Sequence, residues 1–216
     1  MGLFRFLFAV AFFAGSAILW AADCKQQTVD AFVVKVHTGG DVFASGIRIN
    51  PEQVVTVLHA LPVAAELYVS LGGLRLKAEL ADSHQAYDLA LLTLSSEQPL
   101  PEIAAYPRML YRGLRQQESV WAAGVSPQGV QLRQGVFLRQ KLSGVLSSAD
   151  IEGGFSGGPL LACHRGEWMV AGLLRSYRVG VERGQLQRRG ISTATPATAL
   201  VKFLFLSEPQ WAATPQ

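Results

Sequence analysis

Residues 154–160 read Gly-Phe-Ser-Gly-Gly-Pro-Leu. A serine set among glycines favours neither helix nor strand. It suits a tight loop that presents backbone N–H groups and one hydroxyl. A hydroxyl becomes a nucleophile only where a base takes its proton and hydrogen-bond donors hold the oxyanion that forms. The chain has four histidines from which to draw that base: His37, His59, His84 and His164. His59 closes the apolar run Val54-Val55-Thr56-Val57-Leu58, so a rigid strand delivers an imidazole at its end. His37 and His84 lie in polar, turn-like settings that read as surface, and His164 is too close in sequence to Ser156 to reach round to it. Among the carboxylates, Asp88 heads Asp-Leu-Ala-Leu-Leu-Thr-Leu, an acid at the mouth of a buried strand. A carboxylate there needs a partner, and an imidazole N–H serves. Asp82, the competing acid, lies in a polar loop. His59 as base, Asp88 as its orienter and Ser156 as nucleophile form a constellation for acyl transfer.

Chain order separates two ways of building that constellation. Gly154-Phe155-Ser156-Gly157-Gly158 also fits the G-x-S-x-G elbow of α/β-hydrolases, in which the histidine comes last. Only His164 follows Ser156, and the loop is followed by a strand pattern rather than a long helix, so the elbow reading fails. The elements that must position the three residues are short apolar segments separated by turns. Strands are predicted at Ala31–His37, Val42–Ile49, Val54–Leu58, Glu66–Leu71, Leu74–Leu80 and Asp88–Leu94. A second series follows at Ser119–Ala123, Val130–Leu138, Gly144–Ser147, Pro159–Ala162, Met169–Leu174 and Gly190–Thr193. Gly39-Gly40, Gly72-Gly73 and Ser126-Pro127 mark turns, and Pro196 opens a C-terminal helix running to about Leu206. The spacing predicts an all-β protein with about six strands in each half. The proline-bearing stretch Ser95–Tyr111 reads as the linker, and a site between two β-lobes is a natural cleft.

With 216 residues, 50% hydrophobic and only 16% charged, the chain can bury an ample core and does not read as disordered. The net charge of +3 is mild. Arg175, Arg178, Arg183, Arg188 and Arg189 make the second half basic, but no aromatic-interleaved basic motif accompanies them. They read as a solvated face, and no nucleic-acid partner is expected. Two cysteines and scattered histidines show no ligand spacing, so no metal is expected; no phosphate-cradling glycine loop is present and no cofactor is expected. Arg5 followed by the uncharged run Phe6–Ala22, ending in Ala21-Ala22, predicts an export signal or a retained N-terminal anchor. Residues 1–22 are therefore set apart from a folded unit at 23–216, with membrane association confined to residues 6–22. Export implies a periplasmic or secreted protein and permits one disulfide between Cys24 and Cys163; the alternative is a buried free Cys163 with Cys24 in solvent.

In these motifs the chain resembles the chymotrypsin/trypsin-like serine proteases, in particular the bacterial HtrA (Deg)-type protease domain. Ala44-Ser45-Gly46-Ile47 followed by Val54-Val55-Thr56-Val57-Leu58-His59-Ala60 is similar to the family's Gly-Ser-Gly strand and histidine motif. Asp88-Leu-Ala-Leu-Leu and Gly154-Phe-Ser-Gly-Gly-Pro-Leu resemble its acid and serine segments. Val170-Ala171-Gly172-Leu173 and Ile191–Pro196 look like its closing strands, so the resemblance spans about residues 28–206. It implies two six-stranded antiparallel β-barrels, at about 28–95 and 116–195, with a short helix at 196–206 and the three residues in the cleft between. It further implies a serine endopeptidase acting on polypeptides, with the N–H groups of Gly154 and Ser156 as oxyanion donors. A catalytically silent relative that binds exported or misfolded proteins is the alternative. Asp150, six residues before Ser156, lies where trypsin-like enzymes place the acid of a basic-residue pocket, and Arg175 lies where the resemblance puts a substrate-binding strand. Phe155 departs from the pattern. The pancreatic-type enzymes carry an aspartate there that pairs with a freed N-terminus, and a phenyl ring cannot make that pair. About ten residues follow the last predicted helix, so the PDZ domain usual in HtrA-type proteins is not expected.

Overall fold

A computed structural model describes residues 24–61, 66–96, 99–100, 102, 106–110, 113–141, 144–182 and 185–207. The apolar segment 1–22, read above as an export signal or anchor, lies outside the described residues. Strands β1 (Val33–Gly39), β2 (Val42–Asn50), β3 (Gln53–Thr56), β4 (Leu67–Leu71), β5 (Leu74–His84) and β6 (Leu89–Ser95) close into an antiparallel barrel in the order β1-β2-β3-β6-β5-β4. A second sheet contains β7 (Arg108–Met109), β8 (Ser119–Ser126), β9 (Gly129–Lys141), β10 (Gly144–Ser147), β11 (Pro159–His164), β12 (Glu167–Glu182) and β13 (Gln185–Pro196). Its order is β11-β8-β9-β10-β13-β12-β7, and pairing of β11 with β12 closes a six-stranded ring. The two-residue β7 joins β12 in parallel and was not read from the sequence. Helices α1 (Gln26–Asp30) and α2 (Ala197–Ser207) lie at either end.

Three apolar clusters explain why this sequence adopts the arrangement. Val34, Val36, Val54, Val69, Leu76 and Leu92 fill the first barrel. Val120, Phe137, Val145, Ile151, Phe155 and Leu160 fill the second ring. The third cluster is the seam between them, where Ile47, Val55 and Leu89 of the first barrel meet Val125, Leu161 and Leu173 of the second and Leu200 of α2. Strand β6 shows how one segment serves two cores. Leu92 and Leu94 face the barrel interior while Leu89 and Leu91 face the seam, so both sides are apolar and the run Leu89-Ala-Leu-Leu lacks alternation. A strand covered on both faces reads as a continuous apolar run.

The structure moves several boundaries. His59 does not end a strand: β3 stops at Thr56 and His59 sits in a one-turn 3₁₀ helix, Leu58–Ala60. Asp88 lies just before β6 in the left-handed conformation, φ 56° and ψ 47°, closing a second 3₁₀ turn at Gln85–Tyr87. The hairpin of β12 and β13 runs far beyond its predicted strands. Its outer part is a polar, arginine-rich ribbon, in which hydrophobic alternation is too weak to mark a strand. His37 and His84 are half-buried rather than on the surface. His37 Nε2 meets Ser70 Oγ at 2.7 Å, and His84 Nδ1 accepts a long bond from the Tyr87 N–H at 3.4 Å. Burial and the nearby Arg75 and Lys35 cations hold the His37 imidazole below its ordinary pKa.

Cys24 and Cys163 are joined as a disulfide, their Cα atoms 5.8 Å apart, which decides between the two sequence readings. The bond ties the segment before α1 to β11, and the Trp168 indole donates to Lys25 O at 2.8 Å beside it. The two cysteines are 139 residues apart, so closing that loop restricts the unfolded chain by roughly 5 kcal/mol in the chain-entropy account. Cys163→Ser is expected to lower unfolding free energy by about 3–5 kcal/mol in urea titrations. The unfolded, unreduced protein should show no thiol that can be alkylated. The depressed His37 basicity gives a second expectation. Unfolded chains take up the proton first as pH falls below the ordinary value of 6.5, so the folded state loses stability over that range. His37→Gln should flatten that acid-side decline in unfolding free energy, and an unchanged slope would contradict it.

Candidate active site

The site is assembled at the seam. The two 3₁₀ turns of the first barrel face each other, and Asp88 bridges them. Its carbonyl accepts from the Leu58 N–H at 3.3 Å, its Oδ1 from the His59 N–H at 2.9 Å, and its Oδ2 from His59 Nδ1 at 2.7 Å. Left-handed backbone is unusual for a residue with a Cβ, but aspartate is among those that adopt it. Here it swings the carboxylate back over the preceding turn. Because the carboxylate accepts, Nδ1 of His59 is the donor, and the lone pair of the neutral ring lies on Nε2. The Asp88 side chain is 13% exposed and that of His59 50%, so the acid is sheltered while the far edge of the ring faces solvent. Thr195 Oγ1 of β13 donates to Tyr87 O at 2.8 Å, so the acid's turn is tied to the second ring.

Ser156 comes from the other side of the seam, on the loop between β10 and β11. Phe155 N–H donates to Glu152 O at 3.2 Å, closing a four-residue turn whose third residue, Gly154, has φ +95°. Positive φ at that position is the signature of a type II turn. Side chains are excluded there as well, since a Cβ on Gly154 would meet Val125 O at 2.6 Å. The next amides are spent within the protein: Gly157 N–H on Leu174 O at 2.8 Å and Gly158 N–H on Phe155 O at 2.9 Å. Among the described residues of this loop, the N–H groups of Gly154 and Ser156 have no protein partner. Two unspent amides on either side of Phe155, next to a serine hydroxyl, suit the stabilisation of an oxyanion. Phe155, fully buried, packs its ring against Gly124, where a Cβ would come within 2.4 Å of the ring.

Arg175 connects the two halves of the site. Its Nε lies 3.4 Å from Asp88 Oδ2, the oxygen that also meets His59, while its carbonyl accepts the Ser156 hydroxyl at 3.3 Å. The β12–β13 register shifts between Leu174 and Ser176, which places Arg175 at a bulge. Such bulges re-aim a side chain. Ser156 Oγ is thus turned to Arg175 and makes no hydrogen bond to His59. A cleft of about 610 Å³ is lined by Leu58, His59, Gln85, Asp88, Arg175 and Ser176.

Asp150 does not take the place expected of it. It is exposed, set between buried Ala149 and Ile151, so its carboxylate stands in water rather than at the floor of a low-dielectric pocket. The reading of Asp150 as a selector of substrate arginine or lysine is therefore withdrawn. Nearby Glu152 pairs instead with Arg133 at 3.7 Å. Two supporting residues were missed. Ser45 and Thr56, both fully buried, hold each other through Thr56 Oγ1 on Ser45 O at 2.7 Å and back the serine loop. The one signal was a polar side chain inside the otherwise buried run of β2. No group of side chains suited to a metal ion occurs among the described residues.

The Arg175–Asp88 pair gives a direct test of this geometry. Both side chains are largely sheltered, so screening by water is weaker than for a surface pair. A double-mutant cycle of Arg175→Met and Asp88→Asn in urea denaturation should return a coupling of about 1 kcal/mol. Strict additivity would mean that the pair is not formed in solution.

A family model for the trypsin-like peptidase domain matches residues 44–173, which contain His59, Asp88 and Ser156. A sequence comparison with curated proteins finds no match. Among solved structures, the serine endoprotease from Yersinia pestis is similar with TM-score 0.67 and 21% identity, over 84% of this chain and 64% of that one. The chain thus spans less than two thirds of the length of the Yersinia protein. The Rv3671c protease in an inactive form is similar with TM-score 0.67 and 18% identity, over 85% of this chain and 92% of that one. These two share the fold, and the match over residues 44–173 goes further: the chain belongs to the trypsin-like peptidase family.

Proposed function

We propose that this chain is an exported serine endopeptidase that hydrolyses polypeptides through an acyl-enzyme. The observation that carries the reading is the 2.7 Å contact of His59 Nδ1 with Asp88 Oδ2, which leaves Nε2 as the basic edge of the ring. Ser156 Oγ leaves Arg175 O, gives its proton to Nε2 and attacks the substrate carbonyl carbon. The carbonyl oxygen, now negative, is held by the N–H groups of Gly154 and Ser156. Asp88 stabilises the imidazolium without itself taking the proton. His59 then protonates the leaving amine, the C–N bond breaks, and water repeats the sequence to free the acid and restore Ser156. No step calls for a cofactor. The carboxylate and the loop amides are fixed by hydrogen bonds before substrate arrives, so little reorganisation is left for the reaction step.

Export is supported by the uncharged run 6–22 after Arg5 and by the Cys24–Cys163 disulfide, which persists in an oxidising compartment such as the periplasm or the cell exterior. One observation favours a second reading, a silent relative that binds unfolded exported proteins: the Ser156 hydroxyl is turned to Arg175 O rather than to His59. Free enzymes often hold such contacts loosely, tightening them only with substrate, and so the peptidase reading is preferred.

Labelling with a fluorophosphonate separates the two. The peptidase should gain a single adduct on Ser156, absent in Ser156→Ala. Ser156→Ala and His59→Ala should each cut hydrolysis of unfolded casein by about 10⁶-fold, and Asp88→Asn by about 10⁴-fold. A folded protein that takes no adduct and cleaves nothing would leave the binding reading standing.

A further inference from the structure

The geometry points to Ser45 as the positioning residue that aims the serine loop, acting from the first barrel on peptide groups of the second. The inference rests on the peptidase reading only for its consequence in rate; the clamp itself is a matter of hydrogen bonds. Ser45 Oγ accepts from the Val125 N–H at 2.8 Å and donates to Gly154 O at 2.6 Å. With its lone pair engaged by an amide, the hydroxyl proton has Gly154 O as its acceptor, which fixes the direction of the bridge. Ser45 N–H donates to Ser156 O at 2.8 Å, and Ser45 O is held by Thr56 Oγ1 at 2.7 Å. Ser45 and Thr56 are fully buried, so their own side of these bonds is closed to water, while Gly154 and Ser156 are half-buried.

The consequence falls on the two amides that matter. The peptide group between Gly154 and Phe155 is pinned at both ends, its carbonyl on Ser45 Oγ and its N–H on Glu152 O. The peptide group between Ser156 and Gly157 is likewise pinned, its carbonyl on Ser45 N and its N–H on Leu174 O. With these two fixed, the N–H groups left over are those of Gly154 and Ser156. Gly154 is a glycine at φ +95° and has the broadest backbone freedom of any residue, so the loop is intrinsically loosest where its aim counts most. Ser45 removes that freedom. Gly157 shows how closely the loop is seated on this strand: a Cβ there would lie 2.0 Å from Ser45 O and 2.3 Å from Thr56 Oγ1. Ser45 touches no reacting atom and acts only through the loop.

The test uses Ser45→Ala in the full chain and the saturation kinetics of a fluorophosphonate, in which Ser156 Oγ displaces fluoride at phosphorus and needs the same oxyanion donors. The limiting rate of phosphonylation should fall about 30-fold while the half-saturating concentration stays within twofold, a split that general loosening of the fold would not give. A limiting rate unchanged, or loss confined to the half-saturating concentration, overturns the role. If Ser45→Ala does not fold, amide hydrogen exchange in the unaltered protein decides. Val125 and Phe155 should exchange as slowly as amides of the core strands; exchange at the rate of open loops overturns the clamp. If the unaltered protein takes no label but these amides are protected, the peptidase reading fails and the clamp stands. If it labels but the amides exchange freely, the clamp alone fails.

Discussion

The hydrogen bond from Ser45 Oγ to Gly154 O is one of a few polar bonds that cross a mainly apolar seam between the two barrels. The constraint it answers is severe. His59 and Asp88 belong to one barrel and Ser156 to the other, and the proposed acyl transfer would tolerate little error in their relative placement. Apolar packing fixes distance well but direction poorly, because it is not directional. A buried hydroxyl with one donor and one acceptor bond fixes direction. Thr195 to Tyr87 O does the same for the acid's turn. The seam thus combines an apolar interior, which supplies most of the free energy, with a few polar bonds that set register.

Within that frame the electrostatics converge on one carboxylate. Asp88 accepts from the His59 amide and the His59 ring, and it forms an ion pair with the Arg175 guanidinium. A sheltered carboxylate with a single partner would be expensive to bury. With two hydrogen bonds and a cation beside it the carboxylate is compensated, and removing any one of these leaves a partly uncompensated charge. Arg175 has a further effect, since its cation stands where a protonated His59 would seek the same oxygen. One residue of β12 thus contacts both Asp88 and Ser156.

What the sequence made legible was the class of fold, together with three residues that the structure brings to one seam. His59, Asp88 and Ser156 stood out because each is a reactive type in a local setting that hides or displays it: a histidine after an apolar run, an acid before one, a serine among glycines. An all-β chain with about six strands in each half followed from evenly spaced short strands; their closure into barrels was implied by the family resemblance. The supports were not legible for a physical reason. Ser45 and Gly154 are 109 residues apart, and a bond across that distance leaves no local pattern in either segment. Asp150 misled because position along a chain does not specify burial; the same offset from the serine can point a carboxylate into a pocket or into water. The 3₁₀ turns that carry His59 and Asp88 were read as strand ends, because one turn of helix is too short to alter hydrophobic periodicity.

Phe155 couples the shape of the serine loop to the packing of the core. Its ring is fully buried in the core of the second ring of strands, with Ile151 and Leu160 in the same cluster and Gly124 cleared to receive it. A phenyl group takes no proton and makes no ion pair, so the shape of the loop does not follow a titration or the release of a charged terminus. It follows the packing of the core beneath it. With Phe155 holding the loop from below by burial and Ser45 from the side by hydrogen bonds, the alignment of Gly154 and Ser156 becomes a property of the folded barrels themselves. Above that loop, Arg175 contacts both Asp88 and Ser156 in the cleft.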